Sequence, residues 1–317
     1  MKQEQSRVRQ IQATEQHAGQ RLDNFLLREL KGVPKSLVYR IIRRGEVRIN
    51  KRRAKPAQRI ITGDVVRIPP IARQTKINTP KVPDTLIQDI ENAIVHEDDA
   101  LLVLNKPPGL AVHAGTGIDY GLIEALRLGR PYTPFLELVH RLDRQTSGLI
   151  LVAKTMDVLR QLHTLIRTNA MDKRYITLLH NRWQGSARWI DFPLKRLKSQ
   201  PGQLRQVVID HAHGDEAHSY FRPVRKFANH TLAEVKINTG RTHQIRVHAA
   251  YIGHPVVGDE RYGDFTADRA NRSLGLKRQF LHATQLHFQM PESGKRYRFD
   301  VSLPQDLQIV LEHLENL

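Results

Sequence analysis

A chain of 317 residues with 50 Lys and Arg against 32 Asp and Glu carries a formal charge of +18, which points to a polyanionic partner, nucleic acid first. It holds no cysteine, and this excludes disulfides, thiolate nucleophiles and cysteine-based zinc sites while suiting a reducing compartment. No apolar run approaches the roughly 18 residues of a spanning helix, and Lys2, Glu4, Arg7 and Arg9 are too polar for a secretory leader, so a cytoplasmic protein without membrane contact is expected.

The length favours two domains, a small one and a large one. The charge is uneven between them: residues 1–80 hold 19 Lys/Arg and 6 Asp/Glu, net +13, leaving +5 for the rest. After a polar leader (1–18), Leu22, Phe25, Leu26 and Leu30 fall on one stripe at helical spacing. Gly32-Val33-Pro34 breaks this helix, and Ser36 can cap a second one. Its apolar face is Leu37, Val38, Ile41 and Ile42, while Lys35, Arg40, Arg43 and Arg44 form a basic ridge, to which Lys51, Arg52 and Arg53 add. Gly45 ends that helix, and Val47–Lys51 and Asp64–Ile68 alternate as half-buried strands do. The unit runs over 19–70, and the proline-marked stretch 71–88 reads as a linker.

From Ile94 onward, short apolar runs (Leu101–Leu104, Leu149–Ala153, Ile176–Leu179, Leu232–Ile237) alternate with helical segments such as Val158–Ile166. Strands follow one another without a helix between Tyr175 and Thr239, so antiparallel pairing is expected there.

Four polar clusters sit at strand ends, where sites are built. Asn105-Lys106-Pro107-Pro108-Gly109 is a rigid loop lacking phosphate-loop or dinucleotide-binding glycine spacing, so nucleotide cofactors are not indicated. His140-Arg141-Leu142-Asp143-Arg144-Gln145-Thr146-Ser147-Gly148 precedes an apolar strand, and its hydroxyls could orient the Asp143 carboxylate. Asp172-Lys173-Arg174-Tyr175 offers an aromatic ring for a flat base. Gly240-Arg241-Thr242-His243-Gln244-Ile245-Arg246-Val247-His248 offers a cationic wall, with Arg241 and Arg246 five apart and so free to do different work. His211, His213, His218, His243 and His248 lack metal-site spacing, and no metal is expected.

In order and approximate spacing these clusters resemble the RluA-type pseudouridine synthases, and the helix-helix-strand unit before them resembles an S4 RNA-binding domain. The resemblance implies an α+β chain: an N-terminal S4-like domain, then a catalytic domain (89–317) with a mixed, mainly antiparallel sheet flanked by helices. The Lys31–Ser36 loop and the Phe135–Arg141 approach look most like the branch acting on large-subunit ribosomal RNA. It further implies site-specific conversion of uridine to pseudouridine in 23S ribosomal RNA, or its precursor particle, by a monomer without cofactor. Asp143 would be the essential carboxylate, Arg246 its partner and Tyr175 the stacking ring. Arg141 would fill the place of an extruded base, with His140, Arg241 and His243 on the substrate side. Lys35, Ser36, Arg40, Arg43, Arg44, Lys51, Arg52 and Arg53 would grip RNA. Gln145 departs from the acidic residue common after the Asp-Arg pair.

Overall fold

The chain divides into two compact units, Met1–Pro80 and Lys81–Leu317. The computed structural model describes residues 8–30, 33, 35–71, 82–115, 118–197, 206–264 and 275–316; the side chains of Lys35 and Ser36, the Ser36 cap and the break around Pro34 lie outside that description.

The first unit contains β1 (Arg9–Gln12), α1 (Leu22–Glu29), α2 (Lys35–Arg43), β2 (Arg48–Ile49), β3 (Arg52–Arg53) and β4 (Val65–Ile68). Leu22, Phe25, Leu26 and Leu30 close on Val38, Ile41 and Ile42, and both sets bury Ile49, Val66 and Ile68 of the sheet, with Val47 just before it. Each such side chain contributes roughly 1.5–3 kcal/mol on leaving water. The sheet order is β1-β4-β2-β3. The expected leader is therefore partly structural: Arg9–Gln12 pairs antiparallel with β4 and covers an edge that would otherwise stay open. One large apolar residue, Ile11, is too little pattern to announce that strand. Asn50 and Lys51, both at positive φ (49° and 67°), make the two-residue turn between β2 and β3. Arg40, Arg43, Arg44, Lys51, Arg52 and Arg53 are all exposed.

In the second unit α3 (Asp84–Asn92) begins inside the stretch read as linker, whose residues 72–81 are not described. There follow β5 (Ile94–Glu97), β6 (Leu101–Lys106), α4 (Leu122–Gly129), β7 (Glu137–Leu138), β8 (Ser147–Ala153), α5 (Met156–Arg167) and β9 (Asp172–His180). Then come β10 (Arg188–Ile190), β11 (Leu194–Arg196), β12 (Val207–Ile209), β13 (Ser219–Lys226), β14 (His230–Ile237), α6 (Gln244–Tyr251), β15 (Leu281–Gln289), β16 (Arg296–Asp300) and α7 (Gln305–Glu315). The main sheet runs β10-β13-β14-β9-β15-β8-β6-β5, with β16 on β15 and β7 on β8, while β11 and β12 form a separate ribbon. Helices cover both faces. Ile150 and Val152 of β8 pack with α4, whereas Leu149, Leu151 and Ala153 pack with Leu162 and Leu165 of α5. Burial on both faces is why β8 reads as an unbroken apolar run.

β8 and β15 run parallel, pairing Ser147 with His282 and Gly148 with Ala283, where the other paired strands of this sheet are antiparallel. Gly148 has φ +112°, and a Cβ there would stand 2.2 Å from the Ala283 carbonyl oxygen. A side chain is excluded, and the loop before β8 is pressed against the sheet.

Candidate active site

The loop from His140 to Thr146 joins β7 to β8 and is tied down residue by residue. Leu142 is buried in the core and anchors it from below. Thr146 N donates to Asp143 O (3.1 Å), and Gly109 N donates to Arg144 O (2.9 Å). Arg144 Nε returns a bond to Gly109 O (2.8 Å), and Arg278 donates to Gln145 O (3.1 Å). The fully buried Lys106 Nζ donates to Pro107 O (2.8 Å), Leu110 O (3.0 Å) and Arg144 O (3.2 Å). Burial pushes Lys106 down to about 7, while the three carbonyls engage its three protons. The carbonyls of Asp143, Arg144 and Gln145 thus all have donors.

The Asp143 carboxylate projects from this loop into an open pocket. Arg141, Tyr175, Ile237, Arg241, Thr242, His243, Arg246 and Leu281 are among its lining residues. Arg246 NH1 donates to Asp143 Oδ2 at 2.9 Å. Side-chain exposures of 17% for Asp143 and 9% for Arg246 make this a shielded pair, in which attraction outweighs that of a surface pair. Burial works against the Arg246 charge, yet Asp259 and Asp143 together hold its pKa above the usual arginine value.

Arg246 stands in the first turn of α6, whereas Arg241 lies before the helix and bonds Glu216 O through Nε (2.9 Å), so the two arginines do serve different partners. Gln244 fixes the bend between them: its Oε1 accepts from Arg241 N (3.0 Å) and Thr239 Oγ1 (2.8 Å). His243 takes the left-handed conformation that starts the helix (φ 54°). The Tyr262 hydroxyl accepts from Val207 N (2.9 Å) and meets His243 Nδ1 (2.9 Å), while His243 Nε2 stands 3.9 Å from Asp143 Oδ1. Burial outweighs the Asp143 charge and lowers His243 to about 4, so the ring is neutral near pH 7. Tyr175 is 7% exposed on β9 and presents its ring to the pocket. Burial first, and Asp143 second, raise its phenol pKa, so the hydroxyl stays protonated and is poorly suited to act as a base.

Two expectations need correction. His140 is not in the pocket: its Nε2 accepts from Leu151 N (3.2 Å), and burial together with the Lys173 charge lowers it to about 3. The Thr146 and Ser147 hydroxyls do not orient Asp143 either, because both face the interior, Thr146 Oγ1 accepting from Gln279 Nε2 (2.7 Å) and Ser147 Oγ meeting His282 Nδ1 (2.8 Å). His218 bonds Asp191 (2.9 Å), while His248 bonds Ser219 Oγ (3.0 Å) and Phe192 O (2.9 Å).

Sequence reasoning missed Asp259 and Tyr262. Asp259 is fully buried and takes Arg246 in a fork, Nε to Oδ2 and NH2 to Oδ1, both 2.7 Å. Its Oδ1 also accepts from the amides of Arg261 (2.9 Å) and Tyr262 (3.1 Å). Burial alone would raise its pKa, but these bonds prevail and lower it. The Arg246 guanidinium carbon lies 5.2 Å from the centre of the Tyr262 ring, a cation–π contact. The available signal was a Gly-Asp pair following the apolar Val256-Val257.

A carboxylate and a forked arginine beneath a tyrosine ring, on a mixed sheet in a chain that also carries an S4-type unit, mark a particular class of RNA-modifying enzyme. Residues 100–251 match the model of the RNA pseudouridylate synthase family and residues 20–66 that of the S4 domain. The chain belongs to the RNA pseudouridylate synthase family and is an RNA pseudouridine synthase, an isomerase. It is 45% identical over 98% of its length, and 96% of the relative's, to ribosomal large subunit pseudouridine synthase C of Haemophilus influenzae. It is 44% identical over 100% of its length, and 99% of the relative's, to the protein of the same name in Escherichia coli strain K12. The solved structure of human RNA pseudouridylate synthase domain containing 4 shares the fold, with TM-score 0.60 and 24% identity over 73% of this chain and 96% of that one.

Proposed function

We propose that this enzyme isomerises selected uridines of large-subunit ribosomal RNA, the RNA for which its bacterial relatives are named, with Asp143 as the essential carboxylate. The observation that carries the assignment of Asp143 is its placement: a shielded carboxylate in an open pocket, held by one 2.9 Å bond from a buried arginine. The reaction breaks the N1–C1′ bond, turns the uracil and joins it through C5, with no redox change and no atom gained or lost. Attack at C1′, attack on the ring and removal of a ribose proton all require an ionised carboxylate, which Arg246 supplies by stabilising the charge.

C1′ and C5 are out of reach inside a stacked helix, so the uridine is extruded at a cost of about a few kcal/mol. Tyr175 stacks on the base, and Arg141, exposed at the rim, occupies the vacated stack. Arg241 and the neutral His243 ring face the substrate. The exposed Arg40, Arg43, Arg44, Lys51, Arg52 and Arg53, with Lys35 and Ser36, attract phosphates irrespective of sequence. The S4-like domain over 19–70 and the catalytic unit from Lys81 onward divide grip from chemistry, and one copy in the cytoplasm suffices for both.

The test is Asp143→Asn, which keeps the shape and removes the charge. RNA binding is expected within a few-fold of the parent and pseudouridine formation is expected to fall by several orders of magnitude. Appreciable turnover by the purified variant defeats the assignment of Asp143. Large-subunit RNA lacking no pseudouridine in a strain without this protein defeats the substrate.

A further inference from the structure

Arg246 serves two carboxylates, and they share it unequally. Asp259 accepts from Nε and from NH2 at 2.7 Å each, the side-on fork, whereas Asp143 accepts from NH1 alone at 2.9 Å. Asp259 is itself locked by the amides of Arg261 and Tyr262, so the guanidinium is held on a fixed mount. Among the described residues Asp143 Oδ1 faces no cation at hydrogen-bond distance, its near neighbour being neutral His243 at 3.9 Å.

We infer that Asp259 is a positioning residue for the isomerisation: by occupying the fork of Arg246 it confines Asp143 to one end-on bond and leaves the other carboxylate oxygen free toward the pocket. A carboxylate gripped by both arms of a guanidinium is well stabilised as an ion and is correspondingly a weaker nucleophile and base. Asp259 also offsets much of the Arg246 charge, so Asp143 is held by Arg246 without being gripped by its fork. This rests on Asp143 being the reacting carboxylate.

The groups whose charges reach this arrangement come from several elements. Arg246 and His243 belong to α6 and its start, Lys106 to the end of β6 and Tyr175 to β9, and each interacts electrostatically with Asp143. Arg278 acts on Lys106, and Arg261 acts on His243 and Tyr262. Among the described residues Asp259 is the negative group beside Arg246 other than Asp143 itself, so its removal has a definite sign: the charge that offsets Arg246 is lost, and an ionised carboxylate in the pocket is favoured further.

The experiment is the single-turnover rate against pH for Asp259→Asn and Asp259→Glu, with RNA affinity measured alongside. Asp259→Asn is expected to lower the plateau rate by about 10- to 100-fold, as misplacement of a reacting group does, to leave affinity within about three-fold, and to move the acid limb to lower pH. Asp259→Glu restores the charge and is expected to return the limb toward the parent position. A merely structural role lowers the plateau without moving the limb; an unmoved or upward-moving limb overturns the inference. Should Asp259→Asn not fold, nitrogen-15 NMR of Arg246 Nε–H in Asp143→Asn decides. That signal is expected to persist because Asp259 holds it, and its loss overturns the inference. Activity surviving in Asp143→Asn would instead defeat the reading of Asp143 itself, so the two failures are distinct.

Discussion

The two units use the same side chains in opposite ways. In the first, Arg40, Arg43, Arg44, Lys51, Arg52 and Arg53 lie exposed on α2 and the β2–β3 hairpin. In the second, Arg246 is 9% exposed and three of its N–H groups bond two named carboxylates. Exposed charges act over roughly the 8–10 Å Debye length and weaken with salt, whereas a shielded pair is fixed in direction and little screened. An arginine's task is therefore set by burial and partner geometry, and the count of arginines says only that the chain meets a polyanion.

The contrast is sharpest at Arg246. Arg246→Met removes the cation that stabilises the Asp143 carboxylate and leaves the negative Asp259 beside it, so the charged form is disfavoured. The single-turnover rate near pH 7 is expected to fall by about 100- to 1,000-fold, as for loss of a preorganised donor, with the residual rate climbing with pH. Arg241→Met, whose partner is the Glu216 carbonyl, is expected to show no such displacement. A profile displaced by Arg241→Met and not by Arg246→Met reverses the assignment.

A smaller effect is expected from deleting residues 1–80, net +13. The catalytic unit keeps its own cores, so it should fold, bind RNA about 10- to 100-fold more weakly and show a shallower dependence of log affinity on log salt. An unchanged slope would mean that the exposed cations are not the grip.

The mildest effect concerns buried histidines. Burial lowers His140 to about 3 and both His243 and His282 to about 4, against 6.5 in an open chain. Between pH 6.5 and 4 the unfolded chain therefore binds more protons than the native one, so this contribution is complete above pH 6.5 and is lost as pH falls. The melting temperature of the catalytic unit is expected to decline through that window, less steeply in His282→Gln. Equal slopes for the variant and the parent would show that His282 is not one of the groups responsible.

Legibility followed the range of the interactions. The Leu22, Phe25, Leu26, Leu30 stripe and the Leu149–Ala153 run are local patterns that dictate which face is buried, and the structure buries them. β1 was not legible because Arg9–Gln12 becomes a strand only by joining β4, more than fifty residues later in the chain. In the site, Asp143 and Arg246 stand out as charges beside apolar strands. Asp259 looks like an ordinary turn residue until the fold brings it under Arg246, and His140 looks like a site residue until its ring is found accepting from the β8 backbone.

The parallel junction of β8 and β15 also bears on how the enzyme comes into being. It links Ser147 to His282, 135 positions apart, and the Asp143–Arg246 bond spans 103. Contacts so distant in sequence close late, because the entropy of the intervening chain must be lost first. The first unit, whose sheet and helices lie within 80 residues, can form while the other is still incomplete. In refolding from denaturant, far-ultraviolet dichroism and RNA affinity are expected to recover ahead of catalysis, with activity the last property to return.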